Sequence, residues 1–108
     1  MSDTPDTNNT QNTPVTPDPL LVMLKIDLGL TTTAYDTRLE QLLTSSTAAI
    51  IREGAATLDV SRPQDAQLVC MYAAWQWRRR DTGEGMPRMV RWALNNRVFG
   101  EKMQEAST

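Results

Sequence analysis

A chain of 108 residues with 40% hydrophobic side chains suits one domain with a single modest core. It has no histidine, which removes the commonest general base and transition-metal ligand, and its one cysteine, Cys70, excludes an intramolecular disulfide or a cysteine zinc cluster. The net charge of −2 is uneven: residues 1–19 carry Asp3, Asp6 and Asp18 and no Lys or Arg, while the rest, with all 11 basic groups, is close to neutral.

Residues 1–18 open with "MSDTPDTNNTQNTPVTP", a run of Thr, Asn and Pro in which Met1 and Val15 are the only apolar side chains. Such a segment has nothing to bury against the entropy of ordering itself, so it is expected to be a disordered low-complexity tail, either dispensable or ordered by a partner. It lacks the basic segment followed by an apolar stretch that marks a signal peptide. The longest apolar run, Leu68 to Trp75, is too short to span a bilayer. The expectation is a soluble protein that is not exported through a membrane.

The first helix is expected over 19–28. Asp18 supplies a cap, Pro19 suits the first helical position and Gly29 offers a left-handed exit. Leu20, Leu21, Leu24 and Leu28 form its apolar stripe. A second helix is expected over about 34–54, with Thr33 and Asp36 as a capping pair and Gly54 at the stop. Leu39, Leu42, Leu43, Ala49 and Ile50 follow spacings of three and four, while Gln41, Thr44, Ser45 and Arg52 lie largely opposite.

The third helix opens at "SRPQD", with Ser61 as cap, Pro63 in the first turn, Gln64 completing a capping box and Asp65 near the positive end of the dipole. Its middle, "LVCMYAAW", is apolar on every side, the mark of a helix surrounded by other elements. Cys70 reads there as a buried, inert thiol. The helix turns basic at Arg78, Arg79 and Arg80, charges suited to a C-terminus. "DTGEG" then reads as a loop.

A fourth helix is expected over about 87–102, with Val90, Ala93, Leu94 and Val98 inward and Arg88, Arg91, Asn95 and Lys102 on a polar, mainly basic face. Residues 103–108 are expected to be a flexible end. No alternating run long enough for a strand remains, so the fold class is all-α, a compact bundle of about four helices over 19–102. The expected core is Leu39, Leu42, Leu43, Ile50, Val69, Tyr72, Ala73, Val90 and Leu94.

Functional signal concentrates in "WQWRRRDTGEGMPRMVRW", residues 75–92. "GEG" is not a phosphate loop, because no strand precedes it and Met86 and Pro87 stand where a lysine and a hydroxyl are needed. No carboxylate pair and no nucleophile–base pair stands out elsewhere, so the sequence offers no catalytic site, no metal site and no cofactor site. Arg78, Arg79, Arg80, Arg88, Arg91 and Arg97, with Trp75, Trp77 and Trp92 nearby, would suit phosphate contacts and base stacking. The near-neutral charge of the domain argues against a dedicated nucleic-acid binder. Burial of Trp75 and Trp92 between the third and fourth helices would account for them equally well. Arginine, tryptophan and methionine are also the side chains enriched at protein interfaces, and this reading leads.

The order "YDTRLEQLL", "AAIIREGA", "DAQLVCMYAAWQWRRRDTGEGMPRMVRWALNNR" resembles the small head–tail connector, or head-completion adaptor, proteins of tailed bacteriophages. The resemblance covers roughly residues 20–102, and "LKIDLGL", "YD.RL" and the passage from "YAAW..R.R" to "MPRM" carry it. It is their order and spacing together, rather than any one piece, that is specific. The resemblance implies a small all-α virion protein without catalytic activity, made in the bacterial host cytoplasm. It implies a ring, typically of twelve copies, beneath the portal protein, extending the DNA channel and presenting a surface to a stopper or tail-completion protein. It makes the fourth helix and the C-terminal end candidates for portal contact, and the loop from Asp81 to Met86 a candidate for contact with a neighbour. The tail is longer than such a family core needs.

The expected interface, to subunit or portal, is Trp77, Arg78, Arg79, Arg80, Arg88, Arg91 and Arg97, with Trp77 as an aromatic anchor. Some of these arginines could instead face DNA passing through the channel. The alternative function is a small DNA-binding protein of the phage packaging machinery or a phage regulator.

Overall fold

The computed structural model of the protein describes residues 18–106, with side chains throughout that range except at positions 81, 105 and 106. The expected disorder of the tail therefore lies outside the described residues. Four helices follow in order: α1 Pro19–Leu28, α2 Asp36–Glu53, α3 Pro63–Thr82 and α4 Arg88–Ala106. There is no strand among the described residues.

Local chemistry sets the first helix as expected. Asp18 Oδ1 accepts the Leu20 N–H at 3.0 Å, Pro19 occupies the first turn, and Gly29 leaves the helix at φ 71°. The other two expected caps are not made. Tyr35 stands at the N-cap of α2 without a side-chain bond; Thr32, not Thr33, caps the preceding turn by accepting the Ala34 N–H, and Asp36 instead pairs with Lys25 at 2.9 Å. Arg62 stands at the N-cap of α3, and Ser61 turns back to donate its hydroxyl to Asp59 Oδ1 at 2.7 Å. In both cases a charged group nearby takes one member of the expected cap: the Lys25 ammonium donates to Asp36, and the Asp59 carboxylate accepts from Ser61.

α3 is the central element. It packs against α1, α2 and α4, and α1 also packs on α2. The whole expected core is buried, together with Leu21, Leu24, Leu68, Cys70 and Trp75. Leu68, which lines the α3–α4 groove, and Cys70, whose thiol donates to the Leu20 carbonyl of α1 at 3.6 Å, lie two residues apart. At 100° per residue they point to nearly opposite sides of α3, so α1 and α4 occupy different flanks of it. Asp81 and Thr82 belong to the last turn of α3, and the connection to α4 is the shorter stretch from Gly83 to Pro87. α4 runs on to Ala106, four residues beyond its expected end.

The second half of α4 rests on the turn after α2. Gly54 adopts φ 134°, and a Cβ there would come within 2.9 Å of Val98 Cγ1, so only glycine allows α4 to approach this closely.

Candidate functional site

Six of the seven expected interface residues gather around the junction of α3 and α4, and most are already engaged within the chain. Trp77 is half-buried against the core, edge-on to Tyr35 with ring centroids 5.3 Å apart. The Arg80 guanidinium lies 3.8 Å from the centroid of the Trp77 ring, and that of Arg79 lies 5.0 Å from the Trp75 ring. These are cation–π contacts, and they fix the direction in which two of the three consecutive arginines project. Arg78 donates to the Asp27 carbonyl at 3.5 Å, reaching across to α1. All three side chains remain exposed, as do Arg88 and Arg91 at the start of α4.

The turn between the helices is pinned rather than loose. The indole of buried Trp75 donates to the carbonyls of Gly85 at 3.0 Å and Glu84 at 3.3 Å. Burial of a tryptophan demands such a partner, and here it clamps "GEG" onto the end of α3. Gly83, at φ 67°, lets the chain turn back there, its N–H donating to the Arg79 carbonyl at 2.7 Å.

Arg97 behaves differently from the other six residues. It faces inward, donating from Nε to Asp65 Oδ1 at 2.8 Å, from Nη1 to Glu101 Oε1 at 3.0 Å and from Nη2 to Thr57 Oγ1 at 3.1 Å. Thr57 donates its N–H and hydroxyl to Glu101 Oε1, and the Asp59 N–H donates to Asp65 Oδ2 at 2.9 Å. Asp65 and Glu101 are buried. Burial by itself would lower the Arg97 pKa, but the bonds to Asp65 and Glu101 outweigh it and raise the value. Glu101 is held below its ordinary value by the Thr57 hydroxyl and N–H and then by Arg97. Arg97 therefore fastens α4 to the α2–α3 connection and the first turn of α3, its donors occupied by side chains of its own chain.

Cys70 is the inert thiol expected. Burial, and then the charges of Asp27 and Asp18, push its pKa up to about 11.

The feature that sequence reasoning missed is the outer face of α4. Trp92 is not buried against α3; it is 62% exposed, as are Met89 (64%), Phe99 (63%) and Met103 (56%). With exposed Asn96 between them, these residues are spaced three, four, three and four apart, a single straight stripe. At ~200 Å² per side chain, they present on the order of 500 Å² of mostly apolar surface, the size at which exposed patches mark interaction sites. Arg88, Arg91, Asn95 and Lys102 run along one flank of the stripe and are all exposed. On the other flank a groove of about 600 Å³ opens between α3 and α4, lined by Leu68, Met71, Ala93 and Gly100. The signal was present in the sequence: two apolar periodicities overlap on α4, Val90, Leu94 and Val98 on one side and this stripe on the other. The first of these periodicities faces the core and the second faces solvent.

The site is thus an exposed apolar stripe with a basic border, next to a fan of arginines stiffened by two tryptophans. Comparison of the chain with protein-family models, with curated proteins and with solved structures returns no match.

Proposed function

We propose that this protein is a structural adaptor of a bacteriophage particle, one copy of a ring that sits beneath the portal protein and joins the DNA-filled head to a stopper or tail. The observation that carries the interaction reading is the outer stripe of α4, which no part of the described chain covers. A helix built to be apolar on two sides belongs to a subunit whose packing is completed by another protein. The more specific reading, of portal and phage, rests on the resemblance over residues 20–102. The arginines around the α3–α4 junction would supply charged contacts to a neighbour or to the portal, with direction conferred by their stacking on Trp75 and Trp77. Free protein would be weakly associated, and the portal would organise the ring by offering many equivalent sites close together. The mechanism in this reading is assembly, without catalysis or cofactor.

One observation favours DNA instead: Arg88 and Arg91 stand exposed beside an exposed Trp92, a combination that suits phosphate contact and base stacking. The faces of Trp75 and Trp77, by contrast, already carry arginines.

The mass of the purified protein, alone and mixed with the portal ring of the phage that encodes it, decides between them. Stoichiometric rings on portals support the adaptor, and Arg79→Ala with Arg91→Ala should then weaken assembly. A protein that ignores portals but gains mass on duplex DNA, with affinity falling log-linearly in salt, would overturn it.

A further inference from the structure

We infer that the outer stripe of α4 receives helix α1 of the next copy of the same chain, in a head-to-tail contact that repeats around the ring. The inference rests on the adaptor reading and names the surfaces that reading leaves open.

α1 is the other helix with an outward apolar face. Ile26 is 73% exposed, and Val22 and Met23 stand exposed beside it. Exposed Asp18 and Asp27 lie at the two ends of this face, and the one base of α1, Lys25, is neutralised by Asp36 at 2.9 Å. The face is therefore apolar with a carboxylate at each end, the Asp27 end also having Arg78 against its backbone carbonyl at 3.5 Å. The stripe of α4 is apolar with a basic border of Arg88, Arg91 and Lys102. The two are complementary in charge and alike in length: α1 spans ~15 Å and the stripe ~21 Å at the helical rise.

They cannot meet within one molecule, because α1 and α4 lie on different flanks of α3. They can meet only between copies, and two different surfaces joined in this way make a heterologous contact, the kind that closes into rings. Pairing the stripe with itself is disfavoured. An antiparallel α4–α4 pair would set the basic border of one copy against that of the other, and like charges in apposition repel. The face of α1 is well below the ~800 Å² that each partner contributes to a standard stable interface, so one such contact is weak and its persistence depends on repetition.

The test is chemical cross-linking of full-length chain in concentrated solution. Cysteines are placed by Ile26→Cys and Phe99→Cys, both exposed positions, and the pair is bridged with a short bismaleimide; buried Cys70, with its raised pKa, is a poor competitor. The double variant should give a ladder of dimers, trimers and larger species. Each single variant should give none, and the two singles mixed should stop at dimers. Adding Asp27→Arg to the double variant should abolish the ladder, and adding Lys102→Glu as well should restore it. Dimers from Phe99→Cys alone would overturn the contact in favour of α4–α4 pairing, and an absent ladder from a folded double variant would overturn it outright. Portal binding without a ladder would sink the contact and keep the adaptor; a ladder without portal binding would do the reverse.

Discussion

The two long faces of α4 use similar residues to opposite ends. Inward, Leu94 and Val90 are buried and Arg97 is enclosed by Asp65, Glu101 and Thr57. Outward, Trp92 and Phe99 lie open to solvent, bordered by Arg88 and Arg91. The difference teaches that neither apolar character nor an arginine says by itself whether a position serves stability or recognition. What separates the roles is whether the rest of the chain supplies a partner: an acceptor pair for Arg97, none of comparable enclosure for Arg91.

That division can be broken most forcefully from the inside. Leu94→Ala removes a fully buried side chain and should cost ~3 kcal/mol of stability, read as a shift of the denaturant midpoint at unchanged slope. Arg97→Ala leaves two buried carboxylates without their cation and should cost about 2 kcal/mol, discounted for the partial exposure of the guanidinium. A loss under ~0.5 kcal/mol in the same unfolding measurement, the range of ordinary surface changes, would show that Arg97 does not fasten the fold.

Acid should loosen the same fastening more gently. Glu101 has a folded pKa below its ordinary 4.5, so its contribution is present above that value and is lost as pH falls through the lower folded one. Melting temperature should therefore fall below about pH 4.5, and Glu101→Gln should flatten that part of the profile while lowering stability at neutral pH. An identical acid profile in the variant would detach Glu101 from the effect.

The smallest effect on stability belongs to the outer face. Trp92→Ala and Phe99→Ala should change unfolding free energy by no more than ~0.5 kcal/mol, since neither fills the core. Both should nevertheless weaken assembly on a partner, as seen by sedimentation. If either destabilised the monomer as much as Leu94→Ala, the stripe would be part of the fold after all.

Much of this arrangement was legible in the residues. Leucine spacing in α1 and α2 marked their buried faces, and Pro19, Gly29 and Gly54 marked their limits, because backbone stereochemistry is local. The unbroken apolar run "LVCMYAAW" marked α3 as central for an equally direct reason: every side of it needs a neighbour. Thr33 and Ser61 misled as caps because Asp36 and Ser61 found stronger partners in Lys25 and Asp59, one of them across the fold. Trp92 and Arg97 could not be sorted from sequence, since the choice between burial and exposure depends on what stands opposite.

The sequence by itself thus determined four helices, their apolar faces and the basic junction between α3 and α4, all consequences of local propensity and helical period. Only the tertiary structure decided that the second apolar face of α4, with Met89, Trp92, Phe99 and Met103, stays exposed and that Arg97 turns inward. Gly54 admits Val98 at close range, and Asp65 and Thr57 await Arg97 and Glu101 on that same side. Those groups are 32 to 44 residues distant along the chain, and their convergence with α4 commits one face to the fold and leaves the other exposed.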